Sequence, residues 1–225
     1  MALQDRPSFP ERAVVTAGMP YGNKELHFGH IGGVFIHADI FARFLRDRIG
    51  KENVIFVSGT DCYGSTIEAG YEQAAANGFA GTLTDYVAKN HEIQKETIQR
   101  YQISADLFGA SALGEAGEIH AALSATIFQR LYDKGVLTLE ETMQFYDEEK
   151  GMFLNGRQVT GRCPIQGCKS EIAYADECSL GHQYNPAELI CPISVLSGKT
   201  PSYRTVKNWY FDLPPFAGVH SLWSM

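Results

Sequence analysis

No long apolar run, no excess of positive charge and few cysteines outside one short stretch: each shortage narrows what this chain can be. No apolar segment approaches the ~20 residues needed to cross a bilayer as a helix. The opening Met1-Ala2-Leu3-Gln4-Asp5-Arg6 has neither the apolar stretch nor the cleavage site of a secretory signal. The expected compartment is the cytoplasm, with no membrane partner. The net charge of −7, from 19 Lys and Arg against 26 Asp and Glu, argues against a protein whose main task is gripping nucleic acid. Any RNA contact needs a local basic patch or another polypeptide. Arg43, Arg46 and Arg48 on the first long helix read as a solvated face, and Lys199, Arg204 and Lys207 are scattered. Internal repeats and low-complexity segments are also missing.

What is present is ordinary globular material: 225 residues, 44% hydrophobic and 20% charged, enough for one full core or for a core plus a smaller module. Of the five cysteines, Cys62 stands alone, while Cys163, Cys168, Cys178 and Cys191 crowd together. In a reducing compartment such crowding reads as metal ligation before disulfides.

Val14 to Ala17 reads as a buried strand. A helix follows with Ile31, Val34, Phe35, Ala38, Phe41 and Leu45 at helical spacing, its apolar face widened by Ile36, Ile40 and Phe44. His37 and Asp39 on it take surface or packing roles. Asn53 to Val57 is a second apolar strand, as in a parallel sheet covered on both faces. Thr66 to Asn77 is helical, stopped by Gly78. Thr84 to Tyr101 is an amphipathic helix with Tyr86, Val87, Ile93, Ile98 and Tyr101 on its core side. Ala105 to Phe108 is a further strand, and Glu115 to Lys134 a helix closed by Gly135. Strand, helix, strand, helix is the βαβ order of a doubly wound α/β fold, which binds ligands beyond the carboxyl ends of its strands. From Val136 the texture changes to short β-prone segments, so a boundary is expected near residue 137.

Three groups of residues carry chemistry. His27-Phe28-Gly29-His30 lies between the first strand and its helix, led in by Pro20-Tyr21-Gly22-Asn23. Two imidazoles, a bare glycine backbone and a helix N-terminus suit the phosphates of a nucleotide. Such donors lower the barrier when a carboxylate attacks the α-phosphate of ATP, because negative charge spreads over the phosphoryl oxygens. The competing reading is a helix cap and a filled turn. Asp61, ending the second strand beside glycines, needs a partner; a substrate ammonium is one, and N-capping of the next helix is the alternative. Cys163-Pro-Ile-Gln-Gly-Cys168 and Cys178-Ser-Leu-Gly-His182 are two ligand loops separated by nine residues. Their donor set suits tetrahedral structural zinc, with Cys191 a spare ligand able to replace His182. Ser197-Gly198-Lys199-Thr200 lacks the upstream glycine of a P-loop, where Ile193 stands. Cys62 has no base to activate it and reads as a buried thiol. Trp209-Tyr210-Phe211 reads as core packing at a strand end.

Together these segments resemble the N-terminal catalytic part of the class I aminoacyl-tRNA synthetases, most closely the methionyl family. The resemblance rests on Thr16-Ala17-Gly18-Met19-Pro20-Tyr21-Gly22-Asn23 leading to His27-Phe28-Gly29-His30, a version of the HIGH signature. It continues through Gly59 to Gly64, Tyr146 to Leu154, the cysteine loops, and Trp209 to Pro214. It implies a Rossmann-like (HUP-type) half-domain at 1–137, a zinc-bearing β-rich connective insertion at 138–213, and a tail at 214–225. It further implies ATP held by Tyr21, His27, Gly29 and His30, with His27 and His30 catalytic and Mg accompanying the ATP. Gly18, Met19, Tyr21 and Asp61 are the implied amino-acid site, and Cys163, Cys168, Cys178 and His182 the zinc ligands. The implied reaction is methionine plus ATP giving methionyl-adenylate and pyrophosphate, followed by tRNA charging. The first ligand loop is wider than the family's usual form, and the second lacks its last cysteine. No Lys-x-Ser-Lys sequence occurs in these 225 residues, nor does any part of them resemble the family's helical anticodon-binding domain. The expectation is therefore a truncated or shortened relative that reaches tRNA only with further domains or a partner chain. The rival expectations are a non-catalytic binding or regulatory protein and a HIGH-type nucleotidyltransferase of small molecules.

Overall fold

The computed structural model describes residues 8–212; Leu213 and the expected tail at 214–225 lie outside them. The chain divides into two compact units, one up to Ser124 and one from Ala125.

In the first unit, β1 (Ala13–Thr16), β2 (Val54–Thr60) and β3 (Leu107–Ala110) form a parallel sheet in the order β1-β2-β3. Ala13 pairs with Val54, and Val57 with Leu107. The β1–β2 crossover holds a short turn, α1 (Phe28–His30), a π-helical stretch at Ile31–Phe35, and α2 (Ile36–Ile49). Between β2 and β3 run α3 (Ser65–Ala76) and α4 (Leu83–Arg100), and α5 (Gly114–Asp133) follows β3. Thr82 caps α4 reciprocally with Asp85, which fixes where that helix starts. The core gathers Val15, Ile31, Phe35, Ala42, Leu45, Val54, Phe56 and Ile98 on one face of the sheet. Fully buried Phe35 and Phe56 contribute about 1.5–3 kcal/mol each.

The sheet is not covered on both faces, contrary to expectation. Val14, Ile55 and Leu107 point away from that core and are 68%, 52% and 57% exposed among the described residues. A continuous apolar run reports that both faces are apolar, not that both are covered. The helix after the histidines is corrected too: Ile40, Phe41 and Phe44 are exposed, whereas Asp39 is buried. The Asp39 carboxylate accepts from the Ser104 N–H (2.6 Å), the Ser104 hydroxyl (2.5 Å) and Arg43 Nε (2.7 Å). Arg46 is not on a solvated face either. It donates to the Ser104 carbonyl and hydroxyl and to the Asp106 carboxylate, which also accepts the Phe56 N–H. Two polar side chains of α2 thus dock the connection into β3.

The second unit is β-rich. β4 (Leu137–Asp147) pairs antiparallel with β5 (Met152–Phe153) and with β9 (Ser202–Phe211), from Leu137 opposite Phe211 to Tyr146 opposite Ser202. A second small sheet has the order β7 (Ala173–Tyr174), β6 (Val159–Arg162), β8 (Ile190–Ser194). Phe145, Leu154, Val159, Ala173, Ala175, Cys178 and Leu189 form its core. Asp147 is buried yet ionised: the hydroxyls of Ser194 and Ser197 donate to it and hold its carboxyl at about 2. The Ser197-Gly198-Lys199-Thr200 segment is the turn that delivers one of those hydroxyls. Trp209, Tyr210 and Phe211 are each more than 40% exposed, so they end β9 without forming a core. The end of α5 from Ala125 onward belongs to this second unit, and there Phe128 and Tyr132 meet Trp209 edge-on.

Candidate active site and metal centre

The two histidines are tied to the backbone by the same kind of bond. His27, extended at φ −102°, precedes α1, and its Nδ1 accepts the Gly29 N–H at 3.0 Å. The Nδ1 of His30 accepts the His27 N–H at 3.2 Å. A neutral imidazole has one proton, so an accepting Nδ1 leaves it on Nε2. Both rings therefore present an Nε2–H donor, with centroids 3.9 Å apart and planes at 34°. His27 is exposed and His30 half-buried, so neither ring is packed inward among aliphatic neighbours. Burial, then the nearby His27 and Lys24, lower the His30 pKa and favour its neutral form. A Cβ on Gly29 would sit 2.9 Å from His27 Cε1. The glycine is needed first for the histidine ring folded over it.

Asp61 directly follows β2 and continues its pairing with the chain leaving β1. The Asp61 N–H donates to the Pro20 carbonyl and the Gly22 N–H to the Asp61 carbonyl, both at 2.8 Å. This sets Tyr21 opposite Asp61. The carboxylate accepts the Tyr63 N–H at 3.1 Å and does not cap α3, whose Gly64 N-cap makes no side-chain bond. Met19 and Tyr21 are about half exposed. Met19 Cε lies 3.2 Å from where a Cβ on Gly59 would stand, over the end of β2. Gly18, Met19, Tyr21 and Asp61 thus share the carboxyl ends of two adjacent parallel strands, where open α/β sheets bind ligands. Cys62 is half-buried, and its thiol donates to the Thr60 carbonyl.

Sequence periodicity found Val87 and Ile98 on the inner face of α4 but missed its polar members. Its buried residues are Val87, Asn90, His91, Gln94 and Ile98, while Tyr101 is 56% exposed. Three of the five are polar, and all three bond toward the Asp61–Tyr21 corner. A helix face carrying Asn, His and Gln at helical spacing was the available signal.

In the second unit Cys163, Cys168, Cys178 and His182 bring their ligand atoms within 4.8 Å of one another. Cys178 Sγ lies 3.5 Å from His182 Nδ1 and 3.9 Å from Cys168 Sγ, and Cys163 Sγ lies 3.9 Å from His182 Nδ1. A zinc tetrahedron with Zn–S of 2.3 Å and Zn–N of 2.0–2.1 Å puts its ligand atoms roughly 3.5–3.8 Å apart, so the donor set fits. Gly167 and Gly181, at φ +77° and +83°, make the turns just before Cys168 and His182, a conformation costly for other residues. Burial pushes the Cys178 thiol up, but the backbone N–H groups of His182 and Leu180 outweigh it and bring it down to about 6. Cys191, the alternative ligand, is exposed on β8 and outside this group.

Comparison with known proteins bears on the family and the fold. The sequence model of the family described as tRNA synthetases class I (M) matches residues 13–225. The methionine–tRNA ligase of Bacteroides fragilis is 36% identical over 204 residues, 90% of this chain and 28% of that protein. Its counterpart in Cytophaga hutchinsonii is 36% identical over 208 residues, with shares of 92% and 28%. The Chlamydia muridarum enzyme is 36% identical over 203 residues, with shares of 90% and 34%. The chain therefore spans about a third or less of the length of these relatives. Among solved structures, Mycobacterium tuberculosis methionyl-tRNA synthetase bound by methionyl-adenylate superposes with a TM-score of 0.57 at 20% identity, covering 92% of this chain and 34% of that one. The ternary complex of Agrobacterium radiobacter LeuRS with tRNA and LeuAMS gives 0.56 at 16% identity, covering 92% and 21%. At such identities the likeness speaks for the Rossmann-like fold alone. The match along nearly the whole chain is what decides the family: the chain belongs to the methionyl (M) group of class I tRNA synthetases.

Proposed function

We propose that this chain carries the HIGH half of a methionine-activating site. In that reading the methionine carboxylate attacks the α-phosphate of ATP, giving methionyl-adenylate and pyrophosphate. His27 and His30 donate their Nε2–H groups to the phosphoryl oxygens as charge builds there. Tyr21 and Gly29 border the nucleotide. Asp61 takes the α-ammonium, and Gly18, Met19 and Tyr21 line the amino acid. Mg accompanies ATP and shields its phosphates. Zinc on Cys163, Cys168, Cys178 and His182 holds the small module, at 138–213, folded; with four protein ligands it has no open position for catalysis. The role belongs to the cytoplasm, and tRNA is reached with further domains or a partner chain.

The observation that carries this reading is the pair of Nδ1 atoms engaged by backbone N–H groups, which leaves two oriented Nε2–H donors at the rim of the sheet. Donors fixed before the reaction cost no reorganisation during it. The 225 residues contain no Lys-x-Ser-Lys sequence, and they span about a third or less of the relatives they match. A second reading is a chain that binds these ligands without chemistry.

Calorimetric titration with a sulfamoyl analogue of methionyl-adenylate tests the site. Weak binding is expected, lowered further by His30→Ala and by Asp61→Ala. A folded, zinc-loaded chain that ignores the analogue overturns the proposal. Methionine-driven ATP–pyrophosphate exchange separates the two readings: background rates favour binding alone. Robust exchange that drops on the order of 100-fold in His30→Ala favours the enzyme.

A further inference from the structure

The turn that carries Tyr21 is gripped from one side by a single helix. Gln94 Nε2 donates to the Tyr21 carbonyl (2.9 Å) and to the Lys24 carbonyl (2.8 Å). Asn90 Nδ2 donates to the Gly22 carbonyl at 3.0 Å, and the Tyr86 hydroxyl to the Asn23 carbonyl at 2.5 Å. Four consecutive carbonyls, 21 to 24, are thus all taken by three side chains of α4. On its other side the turn pairs with Asp61 through backbone bonds.

The proton directions in this belt are dictated. Both Gln94 amide hydrogens are spent on carbonyls, so its Oε1 must accept, and it takes the Thr60 hydroxyl at 2.8 Å. Thr60 has then given its one proton, so its Oγ1 accepts from His91 Nδ1–H at 2.8 Å. His91 is stacked on Phe108 with rings 7° from parallel. Thr60 and Gln94 are fully buried, so their own polar atoms find no water if a partner is lost, and leaving them unmet is costly. None of these side chains belongs to the proposed set of substrate contacts.

We propose that Gln94, backed by Asn90 and Tyr86, is a positioning residue for the amino-acid site. It locks the 21–24 turn so that Tyr21 stands opposite Asp61, and so sets amino-acid affinity without contacting the amino acid. The assignment rests on the reading of Tyr21 and Asp61 as amino-acid-binding residues. A satisfied, one-directional belt rigidifies a turn in a way that apolar packing does not.

Gln94→Met keeps the length and removes both donors; Tyr86→Phe removes one hydroxyl. Amide hydrogen exchange is followed over 20–26 and 61–64, with 42–49 of α2 as the control. Exchange in the first two segments should quicken about ten-fold or more in Gln94→Met, with α2 unmoved, because local opening becomes easier. Binding of L-methionine should weaken by about ten-fold, the scale of a lost pair of part-buried hydrogen bonds, while ATP binding changes less than about two-fold. Unchanged exchange over 20–26 in a folded Gln94→Met chain overturns the proposal, as does an equal loss of methionine and ATP binding. If Gln94→Met fails to fold, Tyr86→Phe decides, with roughly two- to five-fold faster exchange over 20–26 expected for one lost bond and none overturning the claim. Should the parent chain ignore methionine while Gln94→Met still loosens 20–26, the substrate reading fails and the positioning device stands.

Discussion

Replacing Gly59 with alanine tests whether the close approach of β2 and β3 builds the site. Gly59 lies opposite Gly109 in the parallel register. A methyl group there would fall against the Gly109 carbonyl, 2.9 Å from its carbon, and 3.2 Å from Met19 Cε. Carbon atoms prefer about 3.5–4.0 Å, so the obstacle must yield by roughly 0.6–1 Å. The obstacle is backbone held in a sheet, which places the cost at the upper end of the overpacking range, about 3 kcal/mol. For a unit of roughly 100 residues each kcal/mol moves the melting point by about 4–8 °C, so a fall of more than ~10 °C is expected. Gly109→Ala is the matched control, since its methyl would meet only the Ala116 Cβ at 3.3 Å; it should cost less than about 1.5 kcal/mol, as mild repacking does. Calorimetry and urea unfolding followed by far-UV circular dichroism give both values. A Gly59→Ala chain as stable as Gly109→Ala refutes the reasoning, because only the first added carbon meets backbone while both meet a methyl group at similar distance.

Three other outcomes follow from the same structure. Asp39→Ala leaves the Ser104 N–H and hydroxyl without their acceptor. Since Arg43 is 55% exposed and its share is discounted, the loss is about 2–3 kcal/mol, with a urea midpoint unchanged from the parent as the contrary result. Zinc measured by atomic absorption after gentle purification should be about one equivalent, falling in Cys178→Ser but not in Cys191→Ser; a closed four-ligand site needs no fifth donor. Less than half an equivalent in the parent contradicts the assignment. Folding lowers the pKa of both His30 and His91 below 6.5, chiefly through burial. The unfolded chain then binds more protons in the window just below 6.5, so their contribution is complete above that pH and is lost as pH falls toward the lowered values. Unfolding midpoints read in urea from pH 8 to 5 should decline on the acid side, and a rise there would reverse the sign.

Much of the fold was legible because strand, turn and helix signals coincide with chemistry-bearing residues. Val14-Val15, His27-Phe28-Gly29-His30 and the Asn53 to Val57 run marked the βαβ order, and hence the carboxyl ends where Tyr21 and Asp61 meet. The ligand loops were legible through spacing, while the choice between His182 and Cys191 was not. It depends on how β8 pairs with β6, which brings Cys191 to an exposed position. Asn90, His91 and Gln94 escaped because hydrophobic periodicity counts polar residues as outward-facing. Asn90 and Gln94 are held by carbonyls about 70 residues away, which leave no mark in a side-chain pattern, and His91 by the Thr60 hydroxyl, also distant in sequence. Arg46 was read as a surface group, and Asp39 left between surface and packing, for the same reason: what buries them is the Ser104 segment, distant in sequence. The open face of the sheet was invisible because Val14, Ile55 and Leu107 are as apolar as the residues packed beneath α2.

The account depends most on two imidazoles whose Nδ1 atoms accept from the backbone and whose Nε2–H groups await a phosphate. Long-range ¹H–¹⁵N correlation of the histidine rings at neutral pH reads this without any turnover. It should show His27 and His30 as Nε2–H tautomers, with the Nε2 resonances of both rings shifting when ATP is added. Nδ1–H tautomers, or rings indifferent to ATP at saturating concentration, would contradict it.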